Sequence, residues 1–203
     1  MATHRYASQP NRDTTHGTVA GAMITVNESV LKWVQFVSIM LYVLVAGVMW
    51  GTWLSLARTM TNYDAATFLA DGKHMIENLA MIMAVLMISA VVIGIVVVVL
   101  LFRSRSTVAA WLAAIGLLLM IAVLVITLAV EVPIDNVIAT WTEATLPADW
   151  QQIRARWSTF HTLRTFVALG AVAAAVGAGL TVRSAAQEQS LPAEQTPVAP
   201  AVR

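Results

Sequence analysis

Trp150, Arg154, Trp157, His161 and Arg164 recur at steps of four, three, four and three. On a helix that spacing places all five on one face. Two indoles, two guanidiniums and one imidazole form an uncommon stripe, since a merely solvated face favours Glu and Lys. The set suits acid–base chemistry on a flat molecule. An imidazole of pKa about 6.5 accepts a proton at neutral pH, and a neighbouring guanidinium stabilises an oxyanion as it develops. Indole faces hold an aromatic by stacking and area burial. His161 is therefore the leading candidate base and Arg164 its partner, with Trp150, Trp157 and Arg154 as candidate binding residues. Each has a bland alternative. Tryptophans anchor membrane interfaces, Arg154 and Arg156 suit solvent or phospholipid, and a histidine satisfied by Glu131 or Glu77 would look the same in sequence.

The stripe runs directly into an apolar segment, so the elements that position it are membrane elements. The chain of 203 residues is 59% hydrophobic and 11% charged, with a mean hydropathy of +0.75. A soluble domain has nowhere to bury that much apolar surface. Residues 33–57, 79–102, 107–130 and 165–182 contain no Asp, Glu, Lys, Arg or His. Each run is about 18 residues or longer, enough to cross a hydrocarbon core of roughly 30 Å as a helix. None alternates with a period of two, which excludes barrel strands. The expected fold class is all-α: an integral membrane four-helix bundle with helices at about 28–57, 74–102, 107–130 and 149–182. The fourth is too long for one bilayer core, so it extends partly beyond the membrane.

A net charge of +1 and no basic, aromatic-interleaved patch argue against nucleic acid as a partner. No cysteine is present, which excludes disulfides, Cys-ligated zinc, iron–sulfur clusters and thiol redox catalysis. The polar residues 1–27 and the Pro-containing residues 184–203 read as disordered tails around a transmembrane domain of 28–183. His4 and His16 fall in the first tail and carry no motif. In the first helix, Gly47 and Gly51 form a GxxxG. Packing inside the bundle is the preferred reading, and a homo-oligomer through this face is the alternative. Pro133 is expected to stop the third helix. Asp149 with Gln152 fits a capping box for the fourth.

Four antiparallel spans bring the remaining polar residues to one membrane face: His74, Glu77 and Asn78; Glu131, Asp135 and Asn136; His161 and Arg164. Charges at that depth are costly unless paired or facing a wet cavity. His74 and Glu77 have HxxE spacing, and with Glu131 and His161 they would make a two-His, two-carboxylate metal set. Di-iron bundles use a richer pattern, so no metal is expected. A haem between His74 and His161 is disfavoured because neither lies in the bundle core. The third option is metal-free acid–base chemistry.

The ordered pieces Glu131-Val132-Pro133-Ile134-Asp135-Asn136, Trp141, Pro147-Ala148-Asp149-Trp150 and Arg154-x-Arg156-Trp157-x-x-Phe160-His161-x-x-Arg164 resemble the four-helix membrane family that contains fungal anthrone oxygenases. The resemblance covers about 30–182 and leaves out both tails. Family members usually have Asn where Asp135 stands, which alters a polar contact there. The resemblance implies an integral membrane oxygenase that converts an anthrone to an anthraquinone with molecular oxygen and no cofactor. It would take His161 as the base for the acidic methylene, with Arg164 and Asn136 on the oxyanion. His74, positioned by Glu77, is the alternative base. Glu131, Asn78, Arg154 and the two tryptophans would line the site. Fold-level likeness alone does not transfer a substrate.

The competing class is a non-enzymatic membrane protein, either a claudin-like structural subunit or a binder or exporter of a small aromatic compound. Against an exporter, no inverted repeat is visible. Against a structural subunit, the buried charges and the His stripe lack a purpose. Arg and Lys near the helix ends divide almost evenly between the two faces. The short Arg103-Ser104-Arg105 hairpin weighs most under the positive-inside rule. It puts both termini in the cytoplasm of a plasma-membrane protein.

Overall fold

The computed structural model describes residues 27–190, with side chains to Val182. Helix α1 spans Glu28–Thr52 and continues as a π-helical turn, Trp53–Ala57. A 3₁₀ turn, Met60–Asn62, leads to α2, Ala65–Arg103. Helix α3, Thr107–Ile126, passes through a second π-helical turn, Thr127–Glu131, into a short α4, Val132–Thr140. Helix α5, Trp150–Ser190, completes the bundle. Four stretches are long and apolar enough to cross a membrane: Glu28–Asn62, Ala65–Arg103, Thr107–Thr140 and Trp150–Val182. The expected all-α membrane bundle is what forms. Its outer surface is large and apolar, with Trp33, Met81, Val85 and Leu118 all more than half exposed. In water such a surface would aggregate, whereas lipid is its natural solvent.

Local chemistry sets the ends. The Asn27 side chain accepts from Ser29 N at 2.9 Å, and Asp64 accepts from Thr67 N at 2.8 Å. That amide bond holds the Asp64 carboxyl below its ordinary range and starts α2 nine residues before the expected 74. At the tight hairpin Arg105 adopts φ 57°, a left-handed turn that reverses the chain between α2 and α3.

Pro133 does not end the third span. The chain widens to π spacing over Thr127–Glu131, and the proline falls in the first turn of α4. There its missing N–H and its ring cost little. The expected stop at 130 is therefore corrected, and Glu131 sits on the bulge. Helix α5 also runs past the expected 182 to Ser190. Residues 184–190, expected in a disordered tail, are thus helical in backbone, while the rest of that tail and residues 1–26 lie outside the described residues.

Helix α3 packs against α5 and α2, and α1 against α2 and α5, closing a four-sided ring. Small residues let α3 and α5 approach: a Cβ on Gly116 would lie 3.2 Å from Ala171 O, and Ala171 and Ala175 are buried. Interfaces of this kind gain dispersion contact where lipid gives no hydrophobic drive. Gly47 and Gly51, in contrast, face outward with no atom within 4 Å of either Cβ position. Their expected packing inside the bundle is not what the fold uses.

Candidate functional site

The site is assembled where the two π-turned ends, α2 and α5 meet. Glu131, the last residue of the second π-turn, is fully buried at 0% exposure, and His161 reaches it from α5 at 1%. Arg164 lies one turn further along α5, its side chain 12% exposed. Its Nη2 is 2.9 Å from Glu131 Oε2 and also 2.9 Å from His161 Nδ1. Nη1 donates to Thr127 Oγ1 at 2.9 Å. His161 Nε2 lies 3.2 Å from Met49 O, and Nδ1 is 3.9 Å from Glu131 Oε2.

Donor and acceptor chemistry fixes the imidazole. A guanidinium only donates and a carbonyl only accepts. Nδ1 therefore carries the lone pair, Nε2 carries the proton, and the ring is neutral. The carboxylate and guanidinium then cancel, which is how two charges persist in a membrane core. Trp157 stacks on His161 with centroids 4.8 Å apart and planes at 13°. Its own Nε1 donates to Asp135 Oδ1 at 3.0 Å, so the indole is a rigid link between a second carboxyl group and the base.

A cavity of about 230 Å³ opens against this cluster, lined by Asp135, Trp157, His161, Arg164, Thr127 and Met49, with α2 completing the wall from Met75 to Ile88. Its remaining lining is almost wholly apolar. Small-molecule sites share this make-up, apolar walls with a few convergent polar groups, although most are somewhat larger, at about 300–1,000 Å³. Among the described residues, Arg164 Nε has no hydrogen-bond partner, a spare donor on a residue of the cavity wall.

The expected residues divide sharply. Trp157, His161, Arg164 and Glu131 come together as the stripe and the topology implied. Arg154 and Trp150, on the same stripe, do not reach the cavity. Arg154 is buried and donates to Tyr63 O at 3.1 Å and Thr61 O at 3.2 Å. It also lies 4.7 Å from the Trp150 ring, and Trp150 stacks on Phe68 at 5.4 Å. These two tie the link between α1 and α2 to α5.

His74 and Glu77 are 3.9 Å apart but 77% and 72% exposed. Asn78 and Asn136 are exposed as well. The expected convergence of these four with the α5 pair is corrected, because they occupy the outward faces of α2 and α4. The metal set drawn from His74, Glu77, Glu131 and His161 does not assemble either, and no group of three His, Cys, Asp or Glu that could hold a metal ion occurs among the described residues. Sequence reasoning missed Thr127, Met49 O and the role of Asp135. Only Asp135 left a signal, standing four residues after Glu131.

Comparison with protein-family models matches residues 73–174 to the family described as anthrone oxygenase, half of the chain. That range holds every cavity residue except those from α1. No curated protein and no solved structure matches the chain.

Proposed function

The chain belongs to the anthrone oxygenase family, and on that premise we propose that it oxidises a flat phenolic or anthrone-type substrate with molecular oxygen by base-assisted chemistry without a cofactor. The observation that carries this reading is Arg164, 2.9 Å from both a buried carboxylate and a neutral imidazole on the wall of an apolar cavity. The substrate's ketone oxygen takes the place of one Arg164 contact, which uncovers Nδ1 of His161. That nitrogen removes a proton from the methylene between the aryl rings, and the electron pair moves into the ring system as an enolate. The enolate oxygen rests on Arg164, and the imidazolium is held by Glu131, 3.9 Å away.

The electron-rich carbon then gives electrons to oxygen and a C–O bond forms. The resulting peroxide takes the proton from His161. Loss of the second methylene proton breaks the O–O bond, leaving a quinone carbonyl and one water. Oxygen is thus the only oxidant, with one atom in the product and one in water. Trp157 fixes the imidazole plane, and Asp135 fixes Trp157.

The test is oxygen uptake by purified protein against a panel of anthrones and hydroquinones. His161→Ala and Arg164→Ala should each abolish uptake while the chain still inserts, and Arg164→Lys should restore only part, since a point charge replaces a planar fork. Full activity in His161→Ala would overturn the mechanism. The cavity also favours a second reading, a binder of small aromatics, which predicts saturable binding of the same panel without uptake. The reading includes a plasma-membrane location with both termini and the Arg103-Ser104-Arg105 hairpin in the cytoplasm, supported by the charge of that short loop.

A further inference from the structure

The cavity has a rim as well as a wall. Ala80, Ala84 and Ile88 follow each other at one-turn steps on α2, and Leu128 of the π-helical turn after α3 lines the same cavity. All four line the cavity and are also exposed on the outside of the bundle. The first three fall in the charge-free run 79–102 and the fourth in 107–130, so the opening lies within the hydrocarbon layer.

Towards the loops the passage is closed. Phe68, Leu69, Ile134, Ile138, Trp141 and Trp157 form one buried cluster, and Ile138 comes within 3.7 Å of the Gly72 Cβ position. Towards the hairpin it is closed again, where Val97 and Leu101 pack on Ala109, Ala110 and Ala113. Between these two clusters the α2 residues Met83, Ala84, Met87 and Ile88 line the cavity, as do Leu124, Thr127 and Leu128 at the end of the third span.

We propose that the cavity is reached sideways from the bilayer through this opening, and that its ligand is a small, uncharged, lipid-soluble aromatic. Only the aromatic class rests on the oxygenase reading; the route follows from the rim and the two seals. A charged compound would lose its hydration at a rim without a polar side chain. A neutral aromatic already dissolved in lipid gives up nothing of that kind, and acquires charge only after deprotonation beside Arg164.

The absence of cysteine allows a test that needs no turnover. Met49 lies on α1, lines the cavity and is 1% exposed. The full chain carrying Met49→Cys is placed in phosphatidylcholine nanodiscs. It is treated with benzyl methanethiosulfonate, which partitions into lipid, or with the charged sulfonatoethyl reagent, each normalised to its rate at Thr145→Cys in an exposed loop. The benzyl reagent should label Met49→Cys at least ten times faster than the charged one. Adding Ala84→Trp should slow it at least tenfold, and Ile95→Trp, on the outer face of α2 but off the cavity, should not. Ala80→Phe repeats the block should Ala84→Trp fail to accumulate. Equal labelling by the charged reagent, or no effect of both blocks, would overturn the route. A chain that labels as expected but consumes no oxygen would keep the route and remove the oxygenase.

Discussion

At the residue scale the central fact is one guanidinium shared between an acid and a base. Removing Glu131 alone leaves Arg164 buried and unpaired, and breaking such a pair costs about 3–5 kcal/mol. Glu131→Ala should therefore lower membrane accumulation sharply. Replacing both partners by apolar residues is often neutral or stabilising. Glu131→Leu with Arg164→Met should accordingly accumulate well and yet consume no oxygen. If the double variant were as unstable as the single one, Glu131 and Arg164 would not act as one energetic unit. A second residue-scale outcome concerns Asp135. Trp157→Phe keeps a ring against His161 but orphans the Asp135 carboxyl, at about 1–3 kcal/mol. Asp135→Asn keeps an acceptor for Trp157 Nε1 and should stay close to the parent. Thermal unfolding in detergent reads both, and equal losses would remove the indole–carboxyl bond from the account.

At the scale of elements, two helices depend on positions where a single atom more is too many. The Tyr42 hydroxyl of α1 lies 2.6 Å from where a Cβ on Gly94 of α2 would sit, and Leu117 of α3 lies at 3.1 Å. Gly94→Ala should cost about 1–3 kcal/mol by overpacking. Because the nearest obstacle is one hydroxyl, Tyr42→Phe should recover most of the loss in the double variant. Failure of that rescue would mean that α1 and α2 are held at their spacing by backbone contact rather than by the tyrosine. The π-helical turn is the other element-scale device. The turn Thr127–Glu131 inserts one residue's worth of slack before Pro133, and Glu131, its last residue, is buried against Arg164. Bulges of this type recur at functional sites, and here the chemical consequence is visible.

At the scale of the whole molecule, the protein is an integral membrane bundle with its polar chemistry gathered near one end. The proposed orientation gives a direct outcome. Single cysteines at Ser104 and Thr145 have no background in a chain without cysteine. In intact cells a membrane-impermeant thiol reagent should label Thr145→Cys and spare Ser104→Cys. The reverse pattern would invert the topology while leaving the site's internal geometry untouched.

The four spans, the all-α class and the family likeness were legible in the sequence, because charge-free length and an ordered set of motif residues are local properties. So was the inward stripe of α5, since a helix fixes which residues share a face. What the stripe does was decided only by tertiary contact. Arg154 and Arg164 are the same residue type on the same face, yet one meets the Tyr63 and Thr61 carbonyls and the other meets Glu131 and His161. The partners come from different turns of the bundle, which no spacing encodes. His74 and Glu77 carried the more suggestive local motif, but the rotation of α2 leaves them exposed. Pro133 read as a terminator because the local rule concerns an unbroken α-helix, and the π spacing that relieves the clash is stabilised by burying Glu131 against a residue more than thirty positions away. The cavity belongs to none of the helices alone. Its lining is drawn from α1, α2, the end of the third span and α5, and only their assembled shape decides it.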